Sequence, residues 1–171
     1  EDFPEALGDI LTSANVHFYD ALYPYQPKTE FDLEAVPEDL LLAVHSPSML
    51  AECRRSPYFE SALYSAGGTV QAAEAVWWGD LDNAFVFTGS GDHHAGRDFF
   101  GGGCYINGAA LAIANLRRRW GSARFAIIDT DPHHGDGTWS LFEEDENVLY
   151  LCFCADSDAE VNHKVNVHVP W

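Results

Sequence analysis

The stretch Phe125-Ala126-Ile127-Ile128-Asp129-Thr130-Asp131-Pro132-His133-His134-Gly135-Asp136-Gly137-Thr138 decides the reading of this chain. Its apolar run, Phe125 to Ile128, delivers three Asp and two His into a glycine-punctuated loop. The pattern predicts a buried strand ending in a cluster of metal-ligand residue types. Alternation along extended chain puts Asp129, Asp131 and His133 on one side and Thr130 and Pro132 on the other. An Asp and a His two residues apart on one face can both reach a single divalent ion. A polar loop whose acids merely cap the next helix would explain one such acid, not a cluster this dense.

Working outward, apolar runs predict strands over Leu40 to Val44, Ala84 to Thr88, Arg124 to Asp129, Val148 to Phe153 and Val165 to Val169. Residues 4 to 22 carry Leu7, Ile10, Leu11, Ala14 and Phe18 at helical spacing. Ser46 and Pro47 form an N-cap and first-turn pair for a short helix to Arg55. A further helix spans Thr69 to Trp78 and stops at Gly79. An Ala-rich helix from Ile106 ends in Arg117-Arg118-Arg119, which complement the negative helix end, with Gly121 just beyond. Thr138 to Phe142 gives a last short helix. Strands alternating with helices define an α/β protein: a three-layer α/β/α arrangement with a mostly parallel sheet, here as one domain over residues 1–171. Ligands gather at the carboxyl ends of such strands, where the polar loops 89–103 and 129–138 both fall.

With 47% apolar and 13% aromatic residues, the 171-residue chain is expected to be globular. No run approaches bilayer length, and no charged-then-apolar signal segment opens it, so a membrane is not expected as a partner. The 27 Asp plus Glu against 9 Lys plus Arg leave a net charge of −18. That balance argues against duplex nucleic acid, which needs a basic footprint, and favours a cationic substrate such as a polyamine or a Lys-rich tail. Acidity also serves solubility in a salty cytoplasm, and lysine occurs only at Lys28 and Lys164. Cys53, Cys104, Cys152 and Cys154 have no CxxC spacing, so reduced, buried thiols and a cytoplasmic location are expected. Cys152 and Cys154 alternate in an apolar run and should share a strand face.

The first polar loop reads Gly89-Ser90-Gly91-Asp92-His93-His94-Ala95-Gly96, then Gly101-Gly102-Gly103-Cys104-Tyr105-Ile106-Asn107. If Asp129 and Asp136 each held one imidazole of the His pair, the tautomer would be fixed and the basicity raised. That would equip a histidine as a general base. Glycines at 101 to 103 would let backbone approach a ligand closely.

Together, these two loops closely resemble the histone deacetylase superfamily, which includes acetylpolyamine amidohydrolases and archaeal and bacterial deacetylase-like proteins. The resemblance runs from Leu40 to Val169 and includes His45-Ser46 and Gly67-Gly68. It implies the arginase/deacetylase fold, a mostly parallel sheet of about eight strands between helices. It implies a zinc-dependent removal of an acetyl group from acetyl-lysine or an acetylpolyamine, with Asp131 and His133 as zinc ligands. His94 corresponds to the general base, supported by Asp136. His93, supported by Asp129, helps hold the water and the substrate oxyanion. The carbonyls of Asp129, Asp131 and His133 correspond to a potassium site, and Gly102 to a backbone contact with the acyl-lysine side chain. His134 is expected to point away and pack.

The chain also departs from the family pattern. Gly103 stands where the family usually has a tunnel-lining Phe, so the site is wider unless Phe99 or Phe100 swings in. Asp92 replaces a small residue, and Cys152 a Ser near the potassium. The family's third zinc ligand, an Asp, and its transition-state Tyr lie beyond Trp171. A catalytic zinc site normally has three protein ligands and an open position. The chain therefore reads as the N-terminal half of the domain, completed by a continuation or a second chain. An arginase-like ureohydrolase with two manganese ions and a non-catalytic domain of the same fold are the alternatives.

Overall fold

The structure is a computed structural model and describes residues 33–89 and 92–170; the helix expected over 4–22 lies outside them. Contacts divide the chain into Glu1–Glu34 and Ala35–Trp171, and every element named below belongs to the second unit. Four helices come first: α1 (Glu38–Val44), α2 (Pro47–Cys53), α3 (Phe59–Trp78) and α4 (Gly108–Trp120). Then follow β1 (Phe125–Asp129), α5 (Asp136–Phe142), β2 (Val148–Cys154), β3 (Ala159–Val161) and β4 (Lys164–His168). The strands form a sheet in the order β1-β2-β4-β3. β1, β2 and β4 run parallel, and β3 returns antiparallel on the edge. This is the mostly parallel α/β arrangement that the alternation of elements predicts. Among the described residues no helix is long and apolar enough to cross a membrane.

Two expected strands are corrected. Residues 40–44 belong to α1, because Leu40, Leu41 and Val44 are buried at helical spacing while Leu42 faces outward. An apolar run of five residues carries too little period to separate helix from strand, whereas Glu38 and Asp39 in the first turn favour the helix end they occupy. Residues 84–88 are not in the sheet. Phe85 is 79% exposed there and meets Phe87 edge-on, at 4.7 Å between ring centroids. A strand exists only in a ladder, and this segment joins none of the described ones.

One further element departs from expectation in extent. α3 begins ten residues before Thr69 and runs through Gly67-Gly68. Each internal glycine costs about 1 kcal/mol of helix propensity. Burial of Ala62, Ala66, Gly67 and Val70 along one face offsets that cost. Gly79 ends α3 in the left-handed conformation, as expected. Asn162 and His163, both at positive φ, make the tight turn from β3 into β4.

In β2, the residues Val148, Tyr150, Cys152 and Cys154 are buried. The main core lies against the inner end of this face: Leu40, Leu50, Ala66, Leu111, Phe142 and Val148, with Ile127 beside them. The opposite face carries Ile128, Leu149, Leu151, Phe153, Val165 and Val167, apolar yet exposed or half-buried. Apolar residues on both faces are the signature of a parallel sheet covered on both sides.

Candidate active site at the carboxyl ends of the strands

β1 ends at Asp129, and the loop that follows folds on its own carboxylates. The Asp131 amide donates to Asp129 Oδ1 at 3.0 Å and the His133 amide to Asp131 Oδ1 at 2.8 Å. These short side-chain turns hold three ligand-type residues at the sheet's end. The loop 92–103 is brought over them by backbone. Thr138 N donates to the His93 carbonyl at 2.9 Å. Gly137 lies so close to Ala95 that a Cβ there would stand 2.5 Å from its backbone N and C.

Asn107 fastens the two loops from beneath. Fully buried at the N-cap of α4, it accepts from the Ala110 amide and donates to the Ala95 carbonyl at 3.2 Å and to Thr138 Oγ1 at 3.0 Å. His45, also fully buried, donates from Nδ1 to the Gly96 carbonyl at 2.7 Å and accepts from the Asn107 amide at 3.1 Å. This bonding pattern needs a neutral ring. Burial, opposed by the Gly96 bond, holds the His45 pKa below its ordinary value.

The two loops thereby form the His–Asp pairs. His93 Nδ1 lies 2.9 Å from Asp129 Oδ2, and His94 Nδ1 lies 2.6 Å from Asp136 Oδ1. The two imidazoles sit 4.2 Å apart by ring centroid. The hydrogen bond that His93 makes to Asp129 raises the His93 pKa, against the opposing effect of burial. Burial pushes the Asp129 pKa up, but bonds from His93 and Tyr150 outweigh it and leave the carboxyl below its usual range. Asp92, tucked against Gly108, has its carboxyl pushed up to about 7 by burial.

Asp131 and His133 face each other, with His133 Nδ1 2.8 Å from Asp131 Oδ1. His93 Nε2 lies 3.8 Å from the same oxygen. A carboxylate oxygen and an imidazole nitrogen this close together are donors that zinc accepts, so the chemistry of the residues present fits the ion. They would supply two of the three protein ligands that a catalytic zinc normally has. His134 turns away from this group: its ring packs on Trp139 at 5.2 Å, and Nδ1 lies 3.0 Å from Asn166 Oδ1.

Gly102 sits at φ +56°, and a Cβ on it would stand 2.4 Å from His94 Cδ2, so its backbone runs along the imidazole. A Cβ on Gly103 would meet nothing within 4 Å, so the space directly beside it is open. Phe99 covers Gly96, and Phe100 packs against Tyr105 at 5.7 Å.

Sequence reasoning missed Tyr150. Its hydroxyl donates to Asp129 Oδ2 at 2.7 Å, and burial raises its pKa far above the ordinary phenol value. A lone Tyr inside an apolar strand carries no such signal. The contact depends on register, which sets Tyr150 beside Ile127 on the face that Asp129 shares.

With this geometry in view, comparison with known proteins gives a consistent family. The model of the histone deacetylase domain matches residues 46–158, more than half of the chain. The chain belongs to the histone deacetylase domain family. It is 42% identical over 94 residues to a probable deacetylase of Archaeoglobus fulgidus, covering 54% of this chain and 26% of that one. It is 31% identical over 129 residues to the polyamine deacetylase HDAC10 of Homo sapiens, covering 66% of this chain and 19% of the relative. Against an acetylpolyamine amidohydrolase of Mycoplana ramosa the identity is 38% over 107 residues, 62% of this chain and 31% of the relative. The chain thus spans less than a third of these relatives. The crystal structure of the HDA15 HD domain superposes with a TM-score of 0.71 at 24% identity, covering 81% of this chain and 48% of that one. That likeness establishes the fold.

Proposed function

We propose that this chain is the N-terminal part of a zinc-dependent amidohydrolase domain that removes the acetyl group from an acetylated amine, a polyamine or a lysine side chain. The observation that carries the reading is the pair of His–Asp contacts made across two loops, His93 with Asp129 and His94 with Asp136. Two imidazoles held side by side, each by its own carboxylate, are built for proton transfer rather than for packing. Asp131 and His133 would hold the zinc. When bound, zinc polarises the amide carbonyl and lowers the pKa of water.

His94 acts as the general base. Asp136 engages its Nδ1, which leaves Nε2 to take a proton from the attacking water and return it to the departing amine. His93, raised in basicity by Asp129, donates to the developing oxyanion. Gly102 brings backbone against His94, and the open flank at Gly103 admits the amine carrier. The net charge of −18 favours a cationic carrier, and two of the relatives are named for polyamines. A potassium ion on the carbonyls of Asp129, Asp131 and His133, a cytoplasmic setting and the one-domain reading of residues 1–171 belong to the same proposal.

The third zinc ligand and a transition-state hydroxyl come from a continuation of the chain or from a second chain. The apolar outer face of the sheet, with Ile128 64% exposed, supports a further layer of structure there. The test is acetate release from an acetylpolyamine and from an acetyl-lysine peptide by the completed domain, with zinc measured in parallel. His94→Ala should keep the zinc and lose about two to four orders of magnitude in rate. Full activity in that variant sinks the assignment.

A further inference from the structure

Cys152 and Cys154 alternate along β2 and share a face. Both are fully buried, as free thiols. The loop after β1 brings His134 to the same place, and β4 sets Asn166 in register with Cys152. A ring nitrogen of His134 and the sulfurs of Cys152 and Cys154 all lie within 4.8 Å of one another. His134 Nδ1 is 3.9 Å from Cys154 Sγ. Asn166 Oδ1 is 3.0 Å from that nitrogen and 2.9 Å from that sulfur. The amide cannot turn away, because Asn166 Nδ2 donates to the Ser157 carbonyl at 2.7 Å.

The 3.9 Å between His134 Nδ1 and Cys154 Sγ has the scale of a tetrahedral metal site, while the Asn166 oxygen is hydrogen-bonded to both atoms and would move out by about half an ångström to join it. With bonds of about 2.3 Å to sulfur and about 2.0 Å to nitrogen, neighbouring ligand atoms stand about 3.5–4 Å apart. Two thiols and an imidazole are also the donor set that a thiophilic cation selects over the harder ions. A surface cleft of about 480 Å³, lined by His134, Trp139, Asp156, Ser157 and Asn166, reaches two of the four donors from solvent.

We propose that His134, Cys152 and Cys154, with the side-chain oxygen of Asn166 as fourth donor, form a binding site for a thiophilic divalent cation of the zinc type, separate from Asp131 and His133. Binding replaces the two thiol protons with metal–sulfur bonds and releases those protons to solvent. The site ties the loop after β1 to β2 and β4, and His134 is the neighbour of His133. A metal here would therefore fix the backbone from which the candidate catalytic ligand hangs. The inference does not rest on the proposed amidohydrolase activity.

The test is a titration of the reduced full chain with cobalt(II), without oxygen. Sulfur-bound cobalt gives an intense near-ultraviolet charge-transfer absorption that carboxylate and imidazole ligands do not. The expected result is a band that saturates at one cobalt per chain and is abolished by added zinc. Asp131→Asn and the pair Cys53→Ser and Cys104→Ser should keep it, and Cys152→Ser with Cys154→Ser should remove it. His134→Ala should weaken cobalt binding roughly tenfold or more. No band in the unmodified chain overturns the proposal, whatever the folding of the variants. A band that survives loss of both Cys152 and Cys154 overturns it as well, and unchanged affinity in His134→Ala removes the imidazole from the site.

Discussion

The Tyr150 hydroxyl donates to the Asp129 carboxylate across 2.7 Å, on the same oxygen, Oδ2, that receives His93. One oxygen therefore ties the buried face of β2 to the His pair of the other loop. Removing the phenol oxygen leaves a half-buried carboxylate short of a donor, at a cost of about 1–3 kcal/mol. Tyr150→Phe should lower the unfolding free energy by that amount, read in urea as a lower denaturation midpoint with the slope of the transition unchanged. An unshifted midpoint means the bond contributes nothing net to the fold.

Gly137 sets how closely the two loops approach. The atoms a Cβ would strike, Ala95 N and C and His94 C, are backbone and cannot rotate out of the way. Gly137→Ala should push the loops apart, cost about 1–3 kcal/mol and shift the imidazole NMR signals of His93 and His94 together. A variant as stable as the parent, with both signals unmoved, contradicts the close packing.

Gly102 and Gly103 are adjacent, and both lie at positive φ, +56° and +81°. Their surroundings separate them. Alanine at 103 should cost only the backbone strain, about 1–2 kcal/mol, because the space is open. Alanine at 102 adds a collision with His94 Cδ2 to the same strain. In the completed domain, Gly102→Ala should reduce acetate release at least about tenfold more than Gly103→Ala, the usual scale of a misplaced supporting group. Equal losses at the two positions count against Gly102 as a guide for His94.

What the sequence made legible follows from how far each signal reaches along the chain. β1 and its cluster of acids and histidines were readable, because an apolar run ending in such residues is local chemistry, whereas which carboxylate holds which imidazole came only from the family resemblance. Asn162-His163, by contrast, gave no strong turn signal, so the edge strand β3 was missed. The helical face of α1 was hidden in a five-residue run. Asn107 and Tyr150 were invisible as site residues for a different reason. Each reaches the site through a partner at least a dozen residues away, and one sequence does not print register. Cys152, Cys154 and His134 lie between these cases: the strand face was legible, the imidazole that joins it was not.

His45 gives the fold a pH dependence of definite sign. Burial holds its folded pKa below the ordinary 6.5, since a protonated ring would have to break the bond it accepts from the Asn107 amide. Above 6.5 the ring is neutral in both states and contributes no pH dependence. As the pH falls below 6.5, the unfolded chain takes up a proton that the folded one refuses. Stability from this group is therefore lost until the folded pKa is passed. His93 works in the opposite sense. Its raised pKa gives stability that is fully present below 6.5 and is lost as the pH rises through the folded value. Asp92, its carboxyl pushed up to about 7 by burial, likewise costs stability as the pH rises from the ordinary carboxylate range toward 7. The total slope mixes these groups, so the informative quantity is a difference between variants. His45→Gln should be less stable than the parent near neutrality, because it gives up a well-placed buried pair of bonds. From pH 6.5 downward its stability should then fall less steeply than the parent's. Urea denaturation at a series of pH values measures both slopes, and parallel curves rule His45 out as the source.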